Sequence, residues 1–339
     1  MNNFSYVKAV QVQEAVELTG KHDESKIIAG GTNLIDLLKY NLFKVDRLVD
    51  VNHVLGLHTI IENEEGGLKL GALVTNADTA YHPLVEKMYP LLSKAILAGA
   101  SAQIRNMATN GGNLLQRTRC YYFYDPHTPC NKREPGSGCS AIGGYNRIMA
   151  ILGTSENCIA VFPSDMCVAL AALDATVNIT GLQGTRSIAI ADFHRLPGDT
   201  PSLDNNLQKG DIITSIDLPA KGFERNYSYL KLRDRSSYAF ALVSVATGLE
   251  MESGRIKEAR IALGGVAHKP WRVKAAEDFL SGKEASTGNF AEAAEIIVAG
   301  AIPFEHNGFK IELAKKAIIR NCMMALNPET QLPGAKPSL

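Results

Sequence analysis

The chain has 339 residues, 45% hydrophobic, 21% charged and 7% aromatic, a globular composition in a chain longer than one ordinary core serves, so two or three units are expected. Its 35 basic and 35 acidic residues cancel, and no basic stripe interleaves with aromatics, which argues against a nucleic-acid surface or a polybasic membrane patch. The N-terminus has no charged segment leading into an apolar one and no twin-arginine pair, so no export signal of its own is expected; the most apolar stretch, 159–173, is too interrupted by Pro163 and Asp165 to span a bilayer.

In chain order, Val10, Val12, Ala15, Val16 and Leu18 form an approximate apolar face that predicts a helix over 7–20. Lys26-Ile27-Ile28-Ala29 reads as a short buried strand, Gly30-Gly31 as a turn, and residues 34–39 as the opening of a helix. A strand at 47–51 closes a first lobe, residues 1–55. The second lobe, 56–222, opens with a turn and strand at 66–71. Helices are predicted over 75–88 and 90–100, then a loop of small and polar residues over 100–113. Residues 116–158 contain Pro126, Pro129, Pro135, Gly136, Gly138, Gly143 and Gly144, which break any regular period. A stretch this irregular inside a globular chain usually serves a function. A strand at 159–162, a helix at 163–173 and strands at 175–180 and 212–218 follow. The third unit, 223–330, has strands at 228–232, 239–249 and 260–265, then helices at 273–280, 290–299 and 309–325. The class is α+β.

The strand, glycine turn and helix at 26–39 bring backbone N–H groups to a helix N-terminus, where amides and dipole favour an anion. Gly30 and Gly31 would let the backbone approach a phosphate, and Thr32 and Asn33 add side-chain donors. A plain βα turn explains the same residues. No GxGxxG with an acidic residue about twenty positions on occurs, which weakens a Rossmann reading, and no GxxxxGK[ST] occurs, which removes a P-loop. Thr109-Asn110-Gly111-Gly112-Asn113-Leu114 is a second glycine turn. In Pro163-Ser164-Asp165, either Ser164 or Asp165 is placed to cap the next helix.

In this order, Ile28-Ala29-Gly30-Gly31-Thr32-Asn33-Leu34, then Thr109 to Leu114, then Pro163-Ser164-Asp165 resemble the FAD-binding middle subunits of molybdenum hydroxylases of the xanthine dehydrogenase family. Arg233-Asp234-Arg235-Ser236-Ser237-Tyr238-Ala239 and Leu263-Gly264-Gly265-Val266-Ala267 resemble that family's C-terminal domain. The resemblance covers almost the whole chain and is closest to bacterial three-subunit aldehyde oxidoreductases. It implies a two-lobed FAD-binding domain of the vanillyl-alcohol oxidase type and a smaller C-terminal α/β domain. It also implies a set of FAD contacts. Lys26, Ile27, Ile28, Ala29, Gly30, Gly31, Thr32, Asn33 and Leu34 would wrap the pyrophosphate and ribityl region, with Ala100, Thr109, Gly112 and Asn113 as the opposite wall. Asp165 would contact the ribose or adenine end, Leu218 belongs to the same set, and Lys231 would lie near the flavin ring, where a cation stabilises the anionic reduced flavin. A solvated surface lysine is the competing reading of Lys231.

Six cysteines are too few for a disulfide scaffold, and four of them, Cys120, Cys130, Cys139 and Cys158, fall within 39 residues, which favours a metal. Nine, eight and eighteen residues separate them. Four thiolates on a Pro/Gly-rich loop suit a cubane, and a four-cysteine zinc site would use the same residues, although paired CxxC knuckles are absent. The resemblance to those family members that carry such an insert implies a [4Fe–4S] cluster. Arg117, Arg119, Lys132 and Arg133 would offset its negative charge, or form a solvated or subunit-facing patch. Cys167 and Cys322 read as buried small hydrophobes, with Cys167 the alternative fourth ligand. His268 reads as a structural histidine near the single tryptophan, and Glu64-Glu65 as a solvated pair.

No HExxH, GxSxG or Cys–His pair appears, so the chain reads as a carrier of redox cofactors without a substrate-activating centre. The resemblance implies an electron-transfer subunit in a heterotrimer, passing electrons from a small [2Fe–2S] subunit through FAD to an external acceptor. A large molybdopterin subunit would oxidise the aldehyde, and the assembly would be cytoplasmic, or periplasmic if exported with a partner. The rival readings are a self-sufficient flavin oxidase and a zinc-stabilised binding module.

Overall fold

The computed structural model describes residues 1–328, so the end of the third unit expected at 330 lies outside the described residues. The first unit alternates β1 (Ser5–Lys8), α1 (Val12–Gly20), β2 (Ser25–Ile28), α2 (Leu34–Lys39) and β3 (Arg47–Asp50). The sheet order is β1-β3-β2, with both outer strands parallel to β3. Parallel neighbours need crossover connections, and the helices supply them. The helix expected from residue 7 starts later because Ser5–Lys8 pair with Arg47–Asp50 instead.

The second unit contains β4 (Ile60–Glu62), β5 (Leu68–Gly71), α3 (Asn76–Ala80), α4 (Pro83–Met88), α5 (Pro90–Ala98), α6 (Ala102–Arg105), α7 (Asn110–Leu114) and α8 (Tyr121–Tyr124). It continues with α9 (Asp165–Ala172), β6 (Thr176–Gly181), β7 (Gly184–Ala189), α10 (Ile190–Phe193) and β8 (Ile212–Leu218). Its strands form an antiparallel sheet in the order β4-β5-β8-β6-β7. The single helix expected over 75–88 is two, because Pro83 has no N–H to continue the first and opens the second. The loop expected over 100–113 folds into α6 and α7, capped by Ser101 Oγ and Thr109 Oγ1. Residues 159–162 are not a strand. Ala150 N–H donates to Ile159 O, and Phe162 N–H donates to Ala267 O, so this segment pairs with the insert and the third unit. Helix α9 is buried from Met166 to Ala172, and a helix apolar all round belongs in the centre of a fold.

The third unit holds β9 (Tyr227–Leu232), β10 (Val243–Glu252), β11 (Arg255–Gly264), β12 (Trp271–Arg272), α11 (Lys274–Leu280), α12 (Thr287–Val298) and α13 (Phe309–Leu326). Its sheet is antiparallel, in the order β12-β11-β10-β9. Ser253 and Gly254, both at positive φ, join β10 to β11 in a two-residue turn whose twist suits a hairpin. Val243, Val245 and Leu249 pack with Phe290, Ile297, Ala314 and Ile318 of the helices, while Ala246 and Ala262 pack with α9 on the other face. That alternation is the period of two of a strand covered on both sides. Gly264 is needed here, since a Cβ would sit 2.5 Å from Val168 Cγ2 of α9. Among the described residues, no helix is long and apolar enough to cross a membrane.

The cysteine-bearing insert is fastened to the third unit by polar side chains. The fully buried Lys310 of α13 donates to Met149 O (2.7 Å), Gly265 O (2.6 Å) and Ile148 O (3.4 Å). Asn307 Nδ2 reaches Ala150 O, and His306 N–H donates to Asn146 Oδ1. Burial, with Arg147 nearby, pulls the Lys310 pKa down to about 7, while the three carbonyls favour its ammonium form. Because the folded value lies below the unfolded one, the unfolded chain holds the extra proton from about pH 7 to 10, and this site's contribution to stability rises with pH across that window. Chemical denaturation at pH 6.5 and 9.5 should therefore show wild type gaining on Lys310→Met, by up to about 1.4 kcal/mol per pH unit. A difference that stays flat with pH would show that the amine titrates alike in both states.

Candidate functional site

Two cavities lie along the glycine turns. The larger, about 510 Å³, is lined by residues 25–34, Thr109, Gly112, Arg117 and the segment 202–213. The smaller, about 430 Å³, is lined by Ala100, Asn113, Asp165, Lys231 and the loop at Arg235 to Phe240. Thr32, Asn33 and Gly112 line both, so one cleft narrows at the meeting of the two turns. The cause is a close backbone approach: a Cβ on Gly30 would sit 1.7 Å from Met107 O. Gly31 adds a φ of +69°, the left-handed region open to glycine.

A buried polar chain joins the motifs that are separate in sequence. Asn76 Nδ2 donates to Asn110 Oδ1 (3.1 Å), and Asn113 Nδ2 donates to Asn76 Oδ1 (2.6 Å). Asn113 Oδ1 accepts from Ser164 Oγ (2.6 Å), and Ser164 Oγ in turn caps α9 by accepting from Cys167 N (3.0 Å). Gln116 Nε2 also donates to Asn113 Oδ1. Asn113, expected to contact FAD, spends its side chain holding the second turn to α9. Next to the cap, Asp165 accepts from Lys231 Nζ at 2.7 Å and from Tyr229 OH at 2.6 Å. The pair is buried, with Lys231 5% and Asp165 9% exposed, which overturns the reading of Lys231 as a solvated lysine. Asp165 and Lys231, which the resemblance assigns to different parts of the cofactor, are joined here by one ion pair.

The cleft presents donors without acceptors. The N–H groups of residues 30–33 donate to no backbone acceptor among the described residues. Asn33 Oδ1 accepts from Arg117 N at 2.7 Å, which leaves its buried Nδ2 unpartnered. Buried donors are almost always matched, so the orphan Asn33 Nδ2, beside a run of N–H groups open to the cavity, fits an anionic ligand such as a diphosphate. Lys26 lies in the same cavity, its pKa lowered by burial and by Arg117. Leu218 does not join the set. It sits in the main core, paired with Leu68 across the sheet, and lines neither cavity.

The four cysteines of the insert line one small pocket together with Thr118, Lys132 and Ala160. Its free volume is only about 10 Å³. Cys139 and Cys158 hydrogen-bond to each other, which lowers the Cys139 pKa and raises that of Cys158, while burial pushes Cys120 up to about 12. Among the described residues, no three His, Cys, Asp or Glu side chains converge as a single-ion site. Cys167 lies in the main core and Cys322 on the buried face of α13, as expected of small hydrophobes. His268 is buried with Nε2 3.8 Å from Cys158 Sγ, and burial lowers its pKa to about 3, so it is neutral.

No motif pointed to Asp204, buried between Lys132 and Arg117, which hold its carboxyl below the usual range despite the opposing cost of burial. The part of the wall at 202–211, a loop without motif, is equally silent in sequence. Arg117 and Arg119 drew notice only as neighbours of cysteines, yet they line the larger and the smaller cavity respectively.

Comparison with known proteins agrees with this geometry. Residues 2–221 match the FAD binding domain in molybdopterin dehydrogenase, and residues 227–325 match the CO dehydrogenase flavoprotein C-terminal domain. The chain is 48% identical to the aldehyde oxidoreductase FAD-binding subunit of Escherichia coli K12, over 94% of this chain and 96% of that one. It is 28% identical to the glyceraldehyde dehydrogenase medium chain of Sulfolobus acidocaldarius, over 83% and 82%. Among solved structures, a chain of quinoline 2-oxidoreductase from Pseudomonas putida 86 superposes with a TM-score of 0.74 at 27% identity, covering 97% and 99%. The chain therefore belongs to the family of FAD-binding subunits of molybdenum hydroxylases, as a subunit of an oxidoreductase of the aldehyde oxidoreductase and xanthine dehydrogenase type.

Proposed function

We propose that the chain is the FAD- and [4Fe–4S]-carrying electron-transfer subunit of a molybdenum-dependent aldehyde oxidoreductase. It would receive electrons from a [2Fe–2S] partner subunit, downstream of a molybdopterin subunit, and release them to an external acceptor. The observation that carries the reading is the run Arg117-Thr118-Arg119-Cys120, which lines the larger cavity, the smaller cavity and the cysteine pocket within four residues. The 48% identity to an aldehyde oxidoreductase subunit supports the substrate class and the partnership. FAD exchanges electrons singly or in pairs, and a four-cysteine cluster exchanges them singly.

The chain's own residues have separable tasks in this scheme. The N–H groups of 30–33 and Asn33 Nδ2 hold the diphosphate. Lys26, Ile27, Ile28, Ala29, Leu34, Thr109 and Gly112 wall the same cavity, and Ala100 walls the smaller one. Cys120, Cys130, Cys139 and Cys158 hold the cluster, with Lys132, its ammonium buried beside the pocket, favouring their thiolate forms. Lys231 and Asp165 set the charge beside the flavin end as a neutral pair.

Purified anaerobically, the chain should contain one FAD and about four irons, with a broad band near 400 nm. Serine at any of the four cysteines should remove the iron, whereas Cys167→Ser should keep it. Zinc in place of iron would sink the cluster assignment. Gly30→Ala drives a methyl into the Met107 carbonyl and should cost about 2 kcal/mol of overpacking in the FAD-bound state, seen as at least tenfold weaker FAD retention; unchanged retention would mean that the two turns do not form the cofactor wall. Redox titration should separate the ion pair: Asp165→Asn leaves a bare cation and raises the flavin potential, and Lys231→Met leaves a bare carboxylate and lowers it. Opposite shifts of about 30 mV each, equivalent to about 1.4 kcal/mol for two electrons, are expected, and equal or same-sign shifts would remove the pair from the flavin's surroundings.

A further inference from the structure

Arg117 is the second residue of the cysteine-bearing insert, and its side chain enters the larger cavity rather than the cysteine pocket. Four contacts fix it there. Its backbone N–H donates to Asn33 Oδ1 at 2.7 Å, tying the insert to the first glycine turn. Its guanidinium lies 5.3 Å from the ring centre of Phe43 and 5.0 Å from that of Phe123, a residue of α8 just beyond Cys120. It forms an ion pair with Asp204. Nε, the atom nearest Asp204, and Nη2 are both buried with no hydrogen bond.

Arg117 shares the carboxylate of Asp204 with Lys132, whose ammonium lies at the cysteine pocket. Lys26 lines the larger cavity with no ion-pair partner within 4.0 Å among the described residues. Burial and the proximity of Arg117 both weigh against the Lys26 charge. An unpaired cation, Lys26, and buried donors without hydrogen bonds on Arg117 and on Asn33 Nδ2 match an anion better than a neutral ligand.

We infer that Arg117 is an FAD-binding residue supplied by the cysteine-bearing insert, its Nη2 donating to the cofactor's diphosphate. The inference rests on the assignment of FAD to this cleft. It makes the insert part of the flavin site as well as the holder of the cysteines, because Phe123 and Asp204 must be in place for Arg117 to point inward.

The test is fluorescence titration of the full chain, after removal of bound flavin, with FAD and separately with riboflavin, which lacks the phosphates. Arg117→Gln should weaken FAD roughly ten- to a hundredfold, the worth of a charge-assisted hydrogen bond, and leave riboflavin affinity and iron content unchanged. Arg117→Lys keeps the charge toward Asp204 and guards against misfolding; it lacks the planar fork and should weaken FAD severalfold with the same indifference of riboflavin. FAD affinity within twofold of wild type in both variants overturns the inference. So does a parallel loss of FAD, riboflavin and iron, which marks a purely structural arginine. Wild-type chain that binds riboflavin and FAD equally overturns it too, by removing the diphosphate from recognition, and wild-type chain that binds no flavin overturns the cofactor assignment itself.

Discussion

The cleft depends on one backbone contact, that of Gly30 with the carbonyl of Met107. A side chain on Gly30 would overlap that oxygen, so the two glycine turns can meet only if this position has none. Their meeting sets the waist of the cleft at Thr32, Asn33 and Gly112. It also explains why the first turn leaves its N–H groups open: they face the gap rather than a sheet neighbour. The strands behind the turns supply rigidity, since Ile28 is held by β3 and Gly111 N–H donates to Ala72 O at the end of β5. A left-handed Gly31 and the cost of unpaired donors are accepted at the one place where a ligand would offset them.

Helix α9 carries this arrangement into the rest of the molecule. It has no polar face, because α5, α7 and α10 of the second unit and the sheet of the third unit surround it. Its first residues are therefore fixed on all sides, and they are the ones that matter: Ser164 anchors the second turn through Asn113, and Asp165 holds Lys231 of β9. A buried ion pair adds little net stability against an apolar pair, but removing one partner strands a charge and costs about 3–5 kcal/mol. Such a pair locks the third unit against the cleft in one register. The two domains of the family thus meet at a charge-specified contact as well as an apolar one.

Most of the lining of the cleft was legible in the sequence because it lies in two short glycine-bearing segments with strong local signals, and 15 of the 16 expected cofactor contacts line one cavity or the other. Leu218 failed because a strand residue facing the core looks the same in sequence as one facing a ligand. The contact of Asp165 with Lys231 was not legible because no sequence period reports a contact across 66 residues. Strands β4 and β7 went unseen for a different reason: both are sheet edges, with mostly exposed residues and no apolar alternation. The segment 159–162 misled in the opposite direction, since its run of apolar residues is buried by irregular contacts rather than by a ladder. Asp204 had no signal at all, as a lone acid in a loop is ordinarily solvated.

The insert shows what an irregular segment needs in order to be rigid. Its 43 residues from 116 to 158 contain one helical turn and otherwise only scattered turn bonds and isolated bridges, and ordering them costs roughly 1–2 kcal/mol of backbone entropy per residue. Side chains from elsewhere provide the missing partners. Lys310 and Asn307 cap the carbonyls of residues 148–150, and Lys132 reaches back to Pro201 O and Asp204. Apolar residues of the insert, Phe123, Ala141 and Met149, then pack with Leu37 of the first unit. The four thiols lie inside this ring of fastenings, lining one small pocket, rather than at the tip of a loop. Arg117, Arg119 and Cys120 belong to one short run of backbone, which joins the cysteine pocket to the walls of both cavities.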